Sequence, residues 1–136
     1  MDAHINWLAI LLAGISAFVL GGIWYSPALF GNVWMAKNNL SLEAIKKGNM
    51  LKIYGIAFIL SLIMAANLGM FLQDSPTEKM NITLGALYGF LAGIWVFCAV
   101  AMHGLFEHRS WKLIWINGGY SLVGLTLMGA IIGLWR

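Results

Sequence analysis

The chain has 136 residues, of which 61% are hydrophobic and only 10% are charged. Soluble domains contain roughly 45–50% apolar and about 25% charged residues, so this composition excludes an ordinary soluble protein. The net charge is +3, and because the basic residues lie in short loops beside apolar stretches, they indicate membrane topology and no nucleic-acid partner.

Four stretches of the chain lack Asp, Glu, Lys and Arg. They run through residues 3–36, 53–73, 80–106 and 113–135. A helix rises about 1.5 Å per residue and needs about 20 apolar residues to cross the hydrocarbon core. The stretches show neither barrel-like alternation nor the polar face of a soluble bundle helix. We therefore predict an all-α polytopic membrane protein of one domain, with transmembrane helices at about 5–25, 52–72, 77–106 and 112–134.

The first predicted span ends in the aromatic-rich sequence WYSPALFGNVW. Pro27 cannot continue a helix and biases Ser26 away from helical geometry, so we predict that Ser26 caps a new turn beginning at Pro27. A short interfacial helix then follows the first span along the inner surface, where aromatic rings are favoured. The residues of this helix–turn motif are Trp24, Pro27, Phe30, Gly31 and Trp34.

Most basic residues lie in the first and third connections between spans. Those connections carry Lys37, Lys46, Lys47, Lys52, Arg109 and Lys112, whereas Lys79 and Arg136 lie on the other side. The positive-inside rule places both basic loops in the cytoplasm and both termini outside. Because the start of the chain carries Asp2 and no basic residue, we expect a retained first helix rather than a cleaved signal peptide.

The first two loops also contain helix-capping signals. In the first loop, Ser41 fits the cap of a short helix that Gly48 ends, and the alternative is one helix running from Ser41 into the second span. In the second loop, Ser75, Pro76 and Glu78 form a capping box, which predicts that the third helix begins before its apolar run.

Small residues recur at four-residue spacing in three spans and predict close helix packing. The first span offers Ala13, Ala17 and Gly21. The predicted helix-packing glycines are Gly21, Gly85, Gly89, Gly93, Gly129 and Gly133. Four short spans have too little interior for all these faces, so we expect a surplus face to meet another copy of the chain. The expected assembly is a homo-oligomer, most simply a dimer.

Polar side chains at similar predicted depth form two candidate layers. Asn6 and Asn67 lie toward the outer side. The inner polar cluster comprises Tyr25, Ser26, His103 and Asn117. This cluster is either a set of interhelical hydrogen bonds or a site that opens to the cytoplasm.

His103 and Glu107 are the residues nearest to a metal or catalytic pattern. They lie four apart on one helix face, but no third ligand accompanies them there. A His103–Glu107 pair, or an ion pair of Glu107 with Arg109 or Lys112, is the alternative. We predict no catalytic residue, no metal site and no cofactor, and lone Cys98 excludes an intrachain disulfide.

Two long motifs resemble those of a known family. The first falls on Asn6, Trp7, Gly21, Trp24, Tyr25, Ser26, Pro27, Phe30, Gly31 and Trp34, and the second on Phe106, Glu107, Arg109, Asn117, Gly119, Tyr120, Met128, Gly129 and Trp135. On these residues the chain resembles small bacterial four-span membrane proteins of unknown function. The resemblance implies a multi-pass protein of the bacterial inner membrane and supplies no ligand. Similar proteins often place a histidine where this chain has Ser121.

Three functions are compatible with these observations. The first is a homo-oligomeric scaffold or partner subunit in the lipid bilayer, which short loops and small-residue faces favour. The second is an oligomeric channel or transporter for a small solute, which requires a polar or water-filled path. The third is an interfacial enzyme, which requires His103 and Glu107 to converge in a pocket. The sequence identifies no small-molecule ligand for any of them.

Overall fold

The computed structural model describes residues 5–73 and 80–135, which contain six helices. The helices are α1 (Trp7–Trp24), α2 (Gly31–Lys37), α3 (Leu42–Lys46), α4 (Met50–Gln73), α5 (Ile82–Phe106) and α6 (Trp111–Leu134). Four of these six, α1, α4, α5 and α6, are long and apolar enough to cross a membrane. The predicted all-α, four-span architecture is confirmed, and α2 is the short helix expected after the first span.

Side-chain caps explain where most of these helices begin. Each capping oxygen accepts a hydrogen bond from the backbone N–H three residues later, which satisfies a donor that has no partner within the helix. The caps are Asn6 for α1, Ser41 for α3, Asn49 for α4, Asn81 for α5 and Ser110 for α6.

Two predicted boundaries are settled by these caps. α5 begins at Ile82 and not near residue 77, because Asn81 lies in extended backbone and caps the helix. The predicted capping box of Ser75, Pro76 and Glu78 lies outside the described residues. In the first loop, α3 is separate from α4, because Gly48 and Asn49 interrupt the helix.

α5 and α6 form an antiparallel hairpin whose backbones touch. A Cβ atom added to Gly85 would strike the carbonyl oxygen of Gly129, and one added to Gly89 would strike that of Leu125. An added Cβ at Gly93 would lie 2.8 Å from the side chain of Leu122. Small residues are what permit this approach in lipid, where dispersion and close contact replace the hydrophobic drive.

α1 packs between α4 and α6. Gly14 faces Leu62 of α4, and Gly69 of α4 faces Ile10. The main buried core joins α1, α4 and α6 toward the end of the bundle that holds the start of α1. Its largest members are Ile10, Leu68, Leu72, Met80, Leu125, Met128 and Ile132. α4 makes little contact with α5, so the spans form an open array in the order α4, α1, α6, α5.

The expected surplus of glycine faces is therefore wrong. Gly85, Gly89 and Gly93 lie against α6, Gly129 lies against Gly85, and Gly133 lies against the backbone of Asn81. Gly21 lies against the ring of Tyr120. The reason is that α6 presents Gly129 and Gly133 toward α5, and Gly119 and Gly124 toward α1, so one helix uses small residues on two sides.

Candidate functional site

The WYSPALFG segment forms a tight turn between α1 and α2. The carbonyl oxygen of Ser26 accepts hydrogen bonds from the N–H groups of Leu29 at 3.1 Å and Gly31 at 2.9 Å. The N–H of Phe30 donates to the carbonyl of Trp24 at 3.0 Å. A Cβ atom on Gly31 would strike the backbone of Tyr25 and Ser26, so only glycine fits where the turn closes.

The predicted capping role of Ser26 is wrong. Its hydroxyl donates back to the carbonyl of Ile23 at 2.6 Å, and α2 begins at Gly31 instead of Pro27. Phe30 occupies the N-cap position of α2 without a side-chain hydrogen bond. The serine still starts the turn, but through its backbone carbonyl, which two N–H groups share.

Aromatic rings close the turn on itself. The Trp24 and Phe30 ring centroids lie 4.8 Å apart, and those of Tyr25 and Trp34 lie 5.7 Å apart in an edge-to-face arrangement. Such pairs are favourable because the positive edge of one ring meets the negative face of the other. They fix α2 against the end of α1.

The same turn docks on one segment of α6. The indole N–H of Trp24 donates to the carbonyl of Ile116 at 2.9 Å, and the Tyr25 hydroxyl donates to Oδ1 of Asn117 at 2.8 Å. A third hydrogen bond runs in the other direction, from the Tyr120 hydroxyl of α6 to the carbonyl of Ala17 in α1 at 2.9 Å. We call residues 116–120 the docking segment. Three hydrogen bonds between distant parts of the chain meet there.

The glycines of the docking segment allow side chains from α1 and α5 to lie close to the α6 backbone. An added Cβ on Gly119 would lie 3.3 Å from the Trp24 ring, and one on Gly118 would lie 2.5 Å from the ring of Phe97 in α5. The α1 turn and α5 therefore approach α6 at consecutive residues.

The sequence segments that carry the family resemblance are thus in direct contact with each other. The family match covers residues 8–133 and is described as "Protein of unknown function (DUF1761)".

The chain belongs to this family.

No curated protein and no solved structure matches the chain. The family match assigns no activity.

Burial raises the pKa of the Tyr25 hydroxyl. Removal from water, reinforced by the neighbouring Tyr120, shifts the pKa from 10.0 to about 12. Burial disfavours the charged phenolate, so the hydroxyl can remain a donor to Asn117 above pH 10 as well as at neutral pH.

His103 does not join the predicted inner cluster. The structure brings Tyr25 and Asn117 together, but Ser26 bonds its own helix, and the His103 side chain is exposed in the last turn of α5. Within the described residues, no hydrogen bond or ion pair involves the His103 ring. The prediction was wrong for this residue because depth fixes its level in the membrane but not the side of the bundle on which it lies.

Glu107 pairs with Arg109, as one of the sequence alternatives expected, with Oε2 and Nε 3.3 Å apart. Arg109 Nη1 also donates to Oδ1 of Asn38 at 3.0 Å. This links the α5–α6 connection to the end of α2. In the described part of the chain, no three His, Cys, Asp or Glu side chains lie together as a metal site would require.

The outer polar layer is not a pair of asparagines. Asn6 donates to the carbonyl of Trp135 at 2.6 Å and caps α1, which joins the start of α1 to the end of α6. Asn67 donates to the carbonyl of Ile63, on its own helix, at 3.2 Å. Asn6 and Asn67 each bond elsewhere, so the structure shows no hydrogen bond between these two members of the candidate outer layer.

A half-open cleft of about 190 Å³ lies between α1, α4 and α6. Its hydroxyl-bearing residues are Ser61, Tyr120 and Ser121, and the rest of its lining is apolar. The Ser61 hydroxyl already donates to the carbonyl of Ala57. Sequence reasoning missed this cleft because no polar or charged motif marks it.

Proposed function

We propose that the protein is a non-catalytic membrane subunit that works by association, first of all with another copy of itself. The supporting observation is the uneven packing of α4. All six residues from Leu51 to Ile56 are exposed. Six residues cover every face of a helix with 3.6 residues per turn. This end of a membrane-spanning helix is therefore largely uncovered, although the Tyr54 ring still contacts Phe18 of α1 edge to face.

The polar side chains inside the spans support a structural role. Ser16, Ser61 and Thr126 each donate to a carbonyl of their own helix. Tyr25 and Tyr120 hold α1 against α6. These hydrogen bonds join helices or satisfy hydroxyl groups locally, which is the usual use of polar residues in membrane bundles.

The proposed setting is the bacterial inner membrane, with both termini outside. The six basic residues of the first and third loops support this orientation through the positive-inside rule. In the fold, the ends of α1 and α5 and the beginnings of α4 and α6 then lie on the cytoplasmic side, together with the docked turn.

Counting subunits in a bilayer tests the proposal. Full-length protein carrying one fluorophore per chain is reconstituted in vesicles at low density, and bleaching steps are counted for single particles. We expect mainly two steps. One step in nearly all particles, in both these vesicles and native membranes, would overturn the proposal.

The cleft favours a second candidate function, the binding or passage of a small neutral molecule. It lies at mid-membrane, since Ser61 is central in α4 and Ser121 is central in α6. Apolar cavities of about 150 Å³ are known to accept benzene-sized molecules. Gly124 borders the cleft, and a Cβ there meets nothing closer than 4.0 Å, so a larger side chain can fill it.

A flux measurement tests this second candidate. Vesicles with and without the protein are challenged with glycerol or urea, and their swelling is followed by light scattering. Faster swelling that Gly124→Leu abolishes would support passage through the cleft. Identical swelling with wild type, variant and empty vesicles would rule out passage of both solutes.

A further inference from the structure

α4 has two faces of different character. The residues that face the bundle are Ser61, Ala65, Leu68, Gly69 and Leu72, all buried. The opposite face carries Ile53, Ile56, Leu60, Ile63, Asn67 and Met70, all exposed, and Leu60 also borders the cleft. We call this second set the α4 seam.

The α4 seam has the spacing of a coiled-coil contact. Its residues are separated by three and four positions in alternation, which is the a and d pattern of a heptad repeat. The five apolar members form one continuous stripe along α4, and each side chain is 48–54% exposed. With this spacing, Asn67 falls on an a position, as do Ile53 and Leu60.

Asn67 is the polar member of the seam, and its amide is incompletely bonded. Its Nδ2 donates to the Ile63 carbonyl at 3.2 Å, at the long limit for such a bond. No other hydrogen bond reaches this amide from the described residues. Asn67 lies five residues before the end of the span at Leu72, about 7 Å inside it at the helical rise. Hydrocarbon there offers no partner for the amide oxygen or the second N–H.

A second copy of the chain can provide what the amide lacks. Copies inserted with one topology present their α4 helices in parallel, and a two-fold axis along the membrane normal places equal positions opposite each other. A carboxamide both donates and accepts, so two of them can satisfy each other across such an axis. One asparagine at an a position is also known to set the register and the two-stranded state of parallel coiled coils.

Taking the proposed self-association as given, we infer that two copies pair along the α4 seam with their Asn67 side chains hydrogen-bonded to each other. The docked turn, the α5–α6 hairpin and the cleft-facing hydroxyls remain within each copy. Lipid chains are the competing occupant of the seam, but they leave the amide unsatisfied.

Disulfide trapping in full-length protein locates the interface without altering Asn67. In a Cys98→Ser background in vesicles, Ile56→Cys and Ile63→Cys are oxidised separately. Both should give covalent dimers. Tyr54→Cys is the matched control, because Tyr54 is exposed at nearly the same depth as Ile56 but lies off the seam. Equal trapping at Tyr54 and Ile56 would overturn the inference.

A second experiment tests the amide itself. Energy transfer between donor- and acceptor-labelled copies is followed as the protein is diluted with lipid. Asn67→Leu should weaken association about 3- to 10-fold, as expected for one or two interhelical hydrogen bonds. Thermal unfolding of the variant checks that each copy still folds. Asn32→Leu, at an exposed position of α2 that is not part of the seam, should leave association unchanged.

The possible results separate this interface from the broader proposal. Dimers that form equally well with Asn67→Leu and are not trapped at Ile56 or Ile63 keep self-association but reject the α4 seam. A monomer under every condition rejects both. Loss of dimer in Asn67→Leu together with trapping at both seam positions supports both.

Discussion

The hydrogen bond between Tyr25 and Asn117 connects two residues 92 positions apart in the chain. We expect Tyr25→Phe and Asn117→Ala each to lower the free energy of unfolding, with a coupling of about 0.6 kcal/mol and at most about 1.7 kcal/mol. A double-mutant cycle in one detergent measures this coupling. Tyr88→Phe is the control, because the hydroxyl of exposed Tyr88 makes no hydrogen bond within the described residues. A coupling of zero would contradict the assignment.

The same bond has an expected pH dependence. The folded-state pKa of Tyr25 is raised from 10.0 to about 12, so its contribution to stability is complete below pH 10 and declines as the pH rises through 12. The stability difference between wild type and Tyr25→Phe should therefore stay constant from pH 7 to 10 and then shrink. A difference that already changes near neutral pH would point to another group.

His108 shows backbone strain at the end of α5. Its φ is 57°, and the bonds from His108 to Leu105 and from Arg109 to Gly104 form the glycine-type helix ending. Replacing His108 with glycine should stabilise the protein by about 1 kcal/mol, because side chains disfavour this conformation. Asn39→Gly, at φ 55° after α2, should stabilise the protein less, since asparagine tolerates the left-handed conformation better than histidine does. Thermal unfolding compares the two, and a loss of stability in His108→Gly would contradict the explanation.

At the scale of elements, glycines of similar sequence context have different consequences. Gly89→Ala should destabilise the α5–α6 hairpin by about 1–3 kcal/mol or more, because the new Cβ meets the backbone of Leu125. Gly55→Ala in α4 meets nothing within 4 Å and should stabilise by up to about 1 kcal/mol through helix propensity. Unfolding in mild detergent measures both. Equal effects would mean that α5 and α6 are not in backbone contact.

The docked turn explains how short elements gain a fixed position. α2 has seven residues, too few to be stable alone. It is held by the ring contacts to Trp24 and Tyr25 and by the bond from Arg109 to Asn38. The turn thereby connects α1, α2 and α6, and the Arg109 bond adds the α5–α6 connection.

At the scale of the whole molecule, orientation is the property that the fold leaves open. We expect Gly48→Cys, in the exposed first loop, to be protected from a membrane-impermeant maleimide in intact cells, and Trp135→Cys to be labelled. Both are made in the Cys98→Ser background. The positive-inside rule gives this direction, and disrupted cells serve as the control in which both positions react. The reverse pattern would invert the topology.

Because the spans form an open array, the surfaces proposed for self-association and for small-molecule binding both lie along α4. The helices pack around the core near the start of α1. At the other end α1, α5 and α6 remain in contact, whereas the start of α4 is exposed. The cleft lies between α4 and α6. Both proposed functions therefore use surfaces of α4 that the other helices of the same chain leave uncovered.

The sequence by itself determined that this is a membrane protein and how many transmembrane helices it has. Uncharged stretches of sufficient length can satisfy their backbone in lipid only as helices, so no long-range information was needed. It also placed Tyr25 and Asn117 at one depth, because depth follows from position along a helix of known rise.

Only the tertiary structure decided which helices are neighbours and which way each polar side chain faces. His103 forms no hydrogen bond with Tyr25, and Asn6 bonds the Trp135 carbonyl and not Asn67. The glycine faces pack against other helices of the same chain. The physical reason is that helix periodicity fixes the relative angles of residues on one helix, whereas the rotation of that helix against its neighbours depends on packing that no single segment encodes.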